Sequence, residues 1–198
     1  MLRNNLGRPR TKPAEQRRAD LIRSAEQLFL EKGVEPTTIE EITAAAAVSK
    51  GAFYLHFSSK ADVIKAMRRH FVEGLLDRVR DAVGRQRSDD WNGKLTAWAS
   101  ACATAYLDAT PLHRLVFASA PAPDRQGLTR NILIDDLADL LADGCRAAAW
   151  SLDDPAFTAI FLFNALHAVV DQDDLADNDE KRRALLAHIE VHVHRLVG

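Results

Sequence analysis

Cysteine is almost missing from this sequence: Cys102 and Cys145 are the only two in 198 residues. Distant from one another and set in stretches with helical spacing, they exclude a disulfide-built scaffold and a zinc knuckle, which need thiols at close spacing. They fit a reducing compartment, and the cytoplasm is the expected location. A long apolar run is missing too. The most apolar stretch, Ala159 to Val170, is interrupted by Asn164 and His167 and falls short of the ~20 residues a membrane span needs. It reads as a buried helix, and no membrane partner is expected. The opening residues MLRNNLGRPR contain no apolar stretch that would serve as a leader. No Gly-rich phosphate loop, Ser/His/Asp order or metal-ligand cluster is present, so neither catalysis nor a cofactor is expected. His188 and His192 are four apart with His194 near them, but no carboxylate or cysteine set joins them. They read as interface or surface histidines, with no metal.

Alternation with period two is also lacking, whereas apolar residues recur at three- and four-residue spacing along most of the chain, which makes the fold class all-α. With 47% hydrophobic residues the chain can build a substantial core. The net charge of -2 conceals a division: residues 1–70 carry 13 Lys and Arg against 8 Asp and Glu, a net of +5, and residues 71–198 carry 13 against 20, a net of -7. A basic segment joined to an acidic one is expected where one part meets a polyanion and the other does not.

The pattern predicts about nine helices. The first runs from about Pro13 or Ala14 to Glu31, with Leu21, Ala25, Leu28 and Phe29 on one face and Gly33 as its stop. Thr38 and Glu41 have capping-box spacing and start a short second helix that ends within Ala44 to Ala47. Ser49 caps a third short helix reaching Tyr54, and Ser59 with Asp62 caps a fourth carrying Val63, Met67 and Phe71. Beyond these, breaks at Gln86–Gly93, Thr110–Pro111, Ala118–Gly127, Ser151–Pro155 and Gln172–Glu180 delimit about five more helices. The expected domains are a basic arm over 1–13, a three-helix domain over 14–60 and a larger helical domain over 61–198.

From Thr37 to Phe57 two short helices, each with its own cap, are joined by a tight turn, as in a helix-turn-helix. Ala45 to Ala47 allow close approach, and Ile42, Val48, Phe53 and Phe57 are available for the core. Packing has no need of Ser49, Lys50, Tyr54, His56 and Lys60, which are hydrogen-bond donors at and after a helix start, where a phosphate is favoured. Ala25, Leu28, Phe29, Gly33, Thr38, Ile42, the run Val48-Ser49-Lys50-Gly51, and Phe53, Tyr54, His56, Phe57 and Lys60 together resemble the DNA-binding domain of the TetR family over about Ala14 to Asp62. The resemblance implies that the helix after Ser49 enters the major groove with Lys50, Gly51 and Ala52 at base edges. Thr38, Ser49, Tyr54, His56 and Lys60 would then hold phosphates. Ala47 departs from the family, which usually has glycine in that turn; if the turn needs positive φ, alanine costs roughly 1 kcal/mol.

Ahead of the first helix, residues 1–12 hold four Lys/Arg and no acid. Its Gly7-Arg8-Pro9-Arg10 resembles an AT-hook core, so Arg8 and Arg10 are candidates for the minor groove. In the acidic part, Trp98, Cys102 and Tyr106 share a helical stripe, and Phe117, Phe161, Asn164 and His167 are available to converge with them on an apolar or aromatic small-molecule effector. The resemblance also implies a homodimer through the last two long helices, about Pro155–Gln172 and Asn178–Val197, on a palindromic double-stranded DNA operator. Repression relieved by the effector is the family's usual outcome. Two other readings stand beside it: a DNA-anchored protein of the same fold that acts through a protein partner, and a helical enzyme or carrier that has lost DNA binding.

Overall fold

The computed structural model describes residues 13–117, 131–171 and 178–198, and within them every regular element is helical. In chain order the helices are α1 (Ala14–Lys32), α2 (Ile39–Ala45), α3 (Lys50–Tyr54), α4 (Lys60–Gly84), α5 (Trp91–Asp108), α6 (Thr110–Phe117), α7 (Ile132–Arg146), α8 (Pro155–Val170) and α9 (Asp179–Val197). Arg8 and Arg10 lie outside the described residues.

The chain divides into two compact units, Met1–Met67 and Arg68–Gly198. The division falls inside α4, later than a boundary at 60, because Val63, Ala66 and Met67 are buried without joining the core of the second unit.

In the first unit the core is Leu21, Ala25 and Phe29 of α1, Ile42 of α2, Phe53 of α3, and Phe57. Each short helix is held by its cap. Thr38 Oγ1 accepts the Glu41 N–H while the Glu41 carboxylate accepts the Thr38 N–H at 2.8 Å, a complete capping box. Ser49 Oγ accepts the Ala52 N–H at 3.2 Å. Ser59 Oγ likewise accepts the Asp62 N–H at 3.3 Å, but the Asp62 carboxylate turns to the Ser58 N–H and hydroxyl, so the expected box at α4 closes one residue early. α2 ends in a Schellman arrangement: Val48 N–H reaches Thr43 O and Ala47 N–H reaches Ala44 O, with Ala47 at φ 54°. The positive φ that sequence makes conditional for Ala47 is therefore present.

In the second unit α5 is the central element. α9 packs on it, α8 packs on α7 and on α5, and α6 folds back at its end. Leu95, Trp98, Ala99, Cys102 and Tyr106 of α5 face Leu137 and Leu141 of α7, Leu162 and Leu166 of α8, and Ile189 and Val193 of α9 in one core. α7 closes as α2 does, with Ala149 N–H on Gly144 O, Ala148 N–H on Cys145 O and Ala148 at φ 57°. Trp150 then lies so close over Gly144 that a Cβ there would sit 2.1 Å from its ring. Among the described residues no helix is long and apolar enough to cross a membrane.

Candidate nucleic-acid interface and ligand site

α3 is only five residues long, and its orientation follows from one side chain. Phe53 is fully buried, edge-on to Tyr54 at 5.5 Å and tilted against Phe57 at 5.7 Å. With Phe53 inward, Lys50, Gly51 and Tyr54 are left exposed, Tyr54 by 52%. Gly51 is the informative one. A Cβ on it would meet nothing nearer than Ser49 Oγ at 3.9 Å, so no contact inside the protein calls for glycine there. A glycine within a helix costs about 1 kcal/mol relative to alanine, and the room it leaves is on the outer face.

The other candidates from sequence are divided between outward and inward roles. Thr38 and Ser49 are exposed but their hydroxyls already serve as caps. Ala52 is half-buried, and so is His56, whose ring tilts on Phe57 at 6.4 Å. Lys60 requires a correction. Its ammonium donates to Val34 O at 2.7 Å, Glu35 O at 3.0 Å and Thr37 O at 2.8 Å. An ammonium has three protons, so Lys60 ties the start of α4 to the loop before α2 and keeps no donor for a phosphate. Glu40, which sequence reasoning passed over, pairs with Lys50 in an exposed ion pair. That pairing lowers the Glu40 carboxyl pKa and raises that of Lys50. Its signal was the position one residue before the Glu41 of the capping box, on the solvent side of α2.

In the second unit three of the seven ligand candidates come together. Cys102, Tyr106 and His167, with Ala103, Phe163, Leu166 and Val170, enclose a void of about 10 Å³. The Tyr106 hydroxyl is hydrogen-bonded to Nε2 of His167 and also to Nε2 of His113. Phe117 joins through His113, whose ring it stacks on at 4.6 Å. Trp98 does not face this void: it is fully buried and its indole N–H donates to Asp136 Oδ2 at 3.0 Å. Phe161 and Asn164 do not converge either. α8 buries Ala159, Leu162, Leu166 and Val170, which turns Phe161 outward, 56% exposed, and leaves Asn164 exposed with its amide donating to Ile160 O at 2.7 Å.

His113 was absent from the sequence candidates. It lies seven residues after Tyr106, a helical spacing, but beyond the break expected at Thr110–Pro111, where the α5 stripe is expected to end. The available signal was local to α6, where Thr110, His113 and Val116 recur at three-residue spacing and are all buried. Burial pushes the His113 imidazole pKa down to about 4, helped by neighbouring His167, and lowers that of His167 as well. Burial also pushes the Cys102 thiol up to about 12 and raises Tyr106. At neutral pH all four groups are uncharged.

α8 and α9 flank an apolar groove of about 570 Å³ lined by Leu162, Leu166, Val169, Leu185 and Ile189, with His188 and His192 at its side. Phe157, 65% exposed, stands on the outward face of α8 with Phe161. Among the described residues no group of three or more metal-ligating side chains gathers.

Comparison with known proteins starts from the reading head. The profile of the family described as "Bacterial regulatory proteins, tetR family" matches residues 21–67. The chain is 36% identical over 67 residues to the HTH-type transcriptional repressor KstR2 of Mycobacterium tuberculosis, covering 34% of either protein. It is 35% identical over 71 residues to the HTH-type transcriptional activator FasR of Mycolicibacterium smegmatis, covering 36% of this chain and 32% of that one. The match thus spans about a third of the length of these curated relatives. The crystal structure of the TetR-family transcriptional regulator PfmR from Thermus thermophilus superposes with a TM-score of 0.65 at 20% identity, over 88% of this chain and 97% of that one, which shows a shared fold. The matched stretch takes in most of α1, the whole of α2, α3 and their turn, and the start of α4, so residues 21–67 carry the sequence pattern of the tetR family of bacterial regulatory proteins, and the remaining helices share the fold of a solved TetR-family regulator.

Proposed function

We propose that this protein is a DNA-binding transcriptional regulator that grips a palindromic operator as a homodimer, represses there, and is released when a small molecule enters its second unit. One observation carries the reading: α3 presents Lys50, Gly51 and Tyr54 outward, and no packing requirement explains the glycine. Protein–DNA readers need such a face, with a cation and hydroxyl for hydrogen bonds and a bare backbone for close approach to base edges.

A two-fold partner places a second α3 about 34 Å away, one turn of B-DNA. The outward Phe157 and Phe161 and the apolar groove between α8 and α9 support pairing through those helices, because exposed aromatic groups beside an apolar groove gain most from being covered. Release follows if the effector binds one arrangement of the dimer better than the one that fits the operator. Relatives named as a repressor and as an activator share the reading head, so the reading head does not by itself fix the sign of regulation.

The test is selection of bound duplexes from a random DNA pool, with Lys50→Ala and Tyr54→Ala in parallel at two salt concentrations. The proposal expects an enriched palindrome, weakened in both variants, with Lys50→Ala lowering the salt slope by about 1. Unpatterned binding, or variants that bind as the parent does, would remove it. Dense genomic sites away from promoters would instead favour the DNA-anchored partner-binding reading.

A further inference from the structure

We propose that Tyr106, His113 and His167 form the polar end of a binding site for a small aromatic weak acid, in its simplest form a single-ring carboxylic acid. The inference rests on the effector reading above and supplies the chemistry that reading leaves open.

A hydroxyl has one proton. Bonded to Nε2 of both histidines, the Tyr106 hydroxyl donates to one ring and accepts from the other, which holds the two imidazoles in opposite tautomers. Whichever way this runs, His113 Nδ1 is buried in a side chain 5% exposed and has no hydrogen-bond partner. Buried polar atoms are nearly always paired, and an orphan invites a ligand. A carboxylic acid satisfies this atom in either tautomer. If Nδ1 carries a lone pair, the acid's O–H donates to it; if Nδ1 carries the proton, the acid's carbonyl oxygen accepts it.

The surroundings select the rest of the ligand. Burial keeps both rings neutral, so an acid that brings its own proton enters without leaving net charge in the interior. The charged groups around the trio are Arg68 of α4, which lies 5.0 Å over the Phe117 ring, Arg114 of α6, and Asp171 after α8, which is 3.7 Å from Arg114. Phe71 at 5.9 Å and Phe117 at 4.6 Å from the His113 ring, and Phe163 at 6.4 Å from the His167 ring, provide aromatic walls. The void beside Tyr106 and His167 amounts to about 10 Å³, room for one water-sized sphere, so side chains must part for a ring to enter.

The full chain is titrated calorimetrically with benzoate, benzamide and toluene at pH 6, 7 and 8, alongside His113→Phe and Tyr106→Phe. His113→Phe keeps the ring that Phe117 stacks on and removes both nitrogens. Benzoate is expected to bind with uptake of one proton, read from buffers of different ionisation heat. Its Kd should rise about tenfold for each pH unit, the equilibrium cost of supplying a proton to a group that titrates below the working pH. Benzamide and toluene should bind at least tenfold more weakly, and His113→Phe should lose benzoate. Toluene binding as well as benzoate, pH-independent benzoate binding through an arginine, undiminished binding in His113→Phe, or no binding by any probe would each overturn the proposal. An operator-release assay separates the two readings. Benzoate that binds with this signature but leaves the DNA complex intact keeps the site and removes the effector reading. DNA released by a neutral compound, with benzoate unbound, does the reverse.

Discussion

Gly51 and Glu40 place opposite demands on the outer face of α2 and α3. Gly51 has space for a methyl group inside the protein, so Gly51→Ala should raise stability by up to about 1 kcal/mol through helix propensity. The same methyl group stands where a base edge would approach, and operator affinity should fall about tenfold or more, each 1.4 kcal/mol of lost contact being a factor of ten. Denaturant melts and a binding isotherm on the same sample check both, and an affinity unchanged by the methyl would place α3 away from the groove. Glu40 is paired with Lys50 in the free protein. Glu40→Gln frees that cation and removes a negative charge facing the phosphates, so DNA binding should tighten several-fold at low salt, the gain shrinking as salt rises. Equal affinity at every salt concentration would mean that Lys50 does not meet DNA.

Turns between elements carry the clearest stability predictions. Ala47 and Ala148 both hold the left-handed position of a helix-ending motif at φ 54° and 57°. Glycine reaches that conformation without the Cβ clash, so Ala47→Gly and Ala148→Gly should each stabilise by about 1 kcal/mol, less the extra freedom glycine gives the unfolded chain. Gly144 behaves oppositely. Its added Cβ would press on Trp150, whose indole N–H donates to Leu141 O at 2.9 Å, and Gly144→Ala should cost about 1–3 kcal/mol by overpacking. Thermal melts of the three variants check the signs together, and a stabilised Gly144→Ala would mean that Trp150 moves aside freely.

For the whole molecule, pH and assembly are the two levers. The His113 imidazole titrates near 4 when folded and near 6.5 when unfolded. Below pH 6.5 the unfolded chain therefore takes up the proton first, and stability falls as pH drops from about 6.5 towards 4, by about 3 kcal/mol in all. The lowered pKa of His167 adds in the same direction. Urea melts at pH 7.5 and 5 should show the loss, and His113→Phe should reduce it. A pH profile identical in the variant would assign the loss to other groups. Assembly is read at Phe161: if the proposed dimer forms through α8, Phe161→Glu on its outward face should shift the protein towards monomer in sedimentation and weaken operator binding without lowering the melting temperature of the isolated chain, and an unchanged sedimentation profile would place the dimer contact elsewhere.

What the sequence by itself determined is local. Helix starts at Thr38 and Ser49 follow from side chains that reach a backbone N–H three residues on, and the all-helical class follows from spacing. Both depend on neighbours within a turn or two, which a linear reading contains. The exposed face of α3 was also legible, because one buried aromatic, Phe53, sets the orientation of a five-residue helix. Tertiary structure alone decided the rest. Lys60 turned from a phosphate ligand into a tie because three carbonyls more than twenty residues earlier converge on it. Phe161 and Asn164 left the ligand group, since an almost wholly apolar helix such as α8 does not reveal in sequence which stripe meets α5 and α7 and which stays outside. His113 entered it because α6, a separate helix beginning at the Thr110–Pro111 break, folds back on α5 and brings His113 into hydrogen-bonding range of Tyr106. Caps and periods are properties of short segments, while burial and convergence are properties of how helices pack, and the chemistry of the second unit depends on the latter.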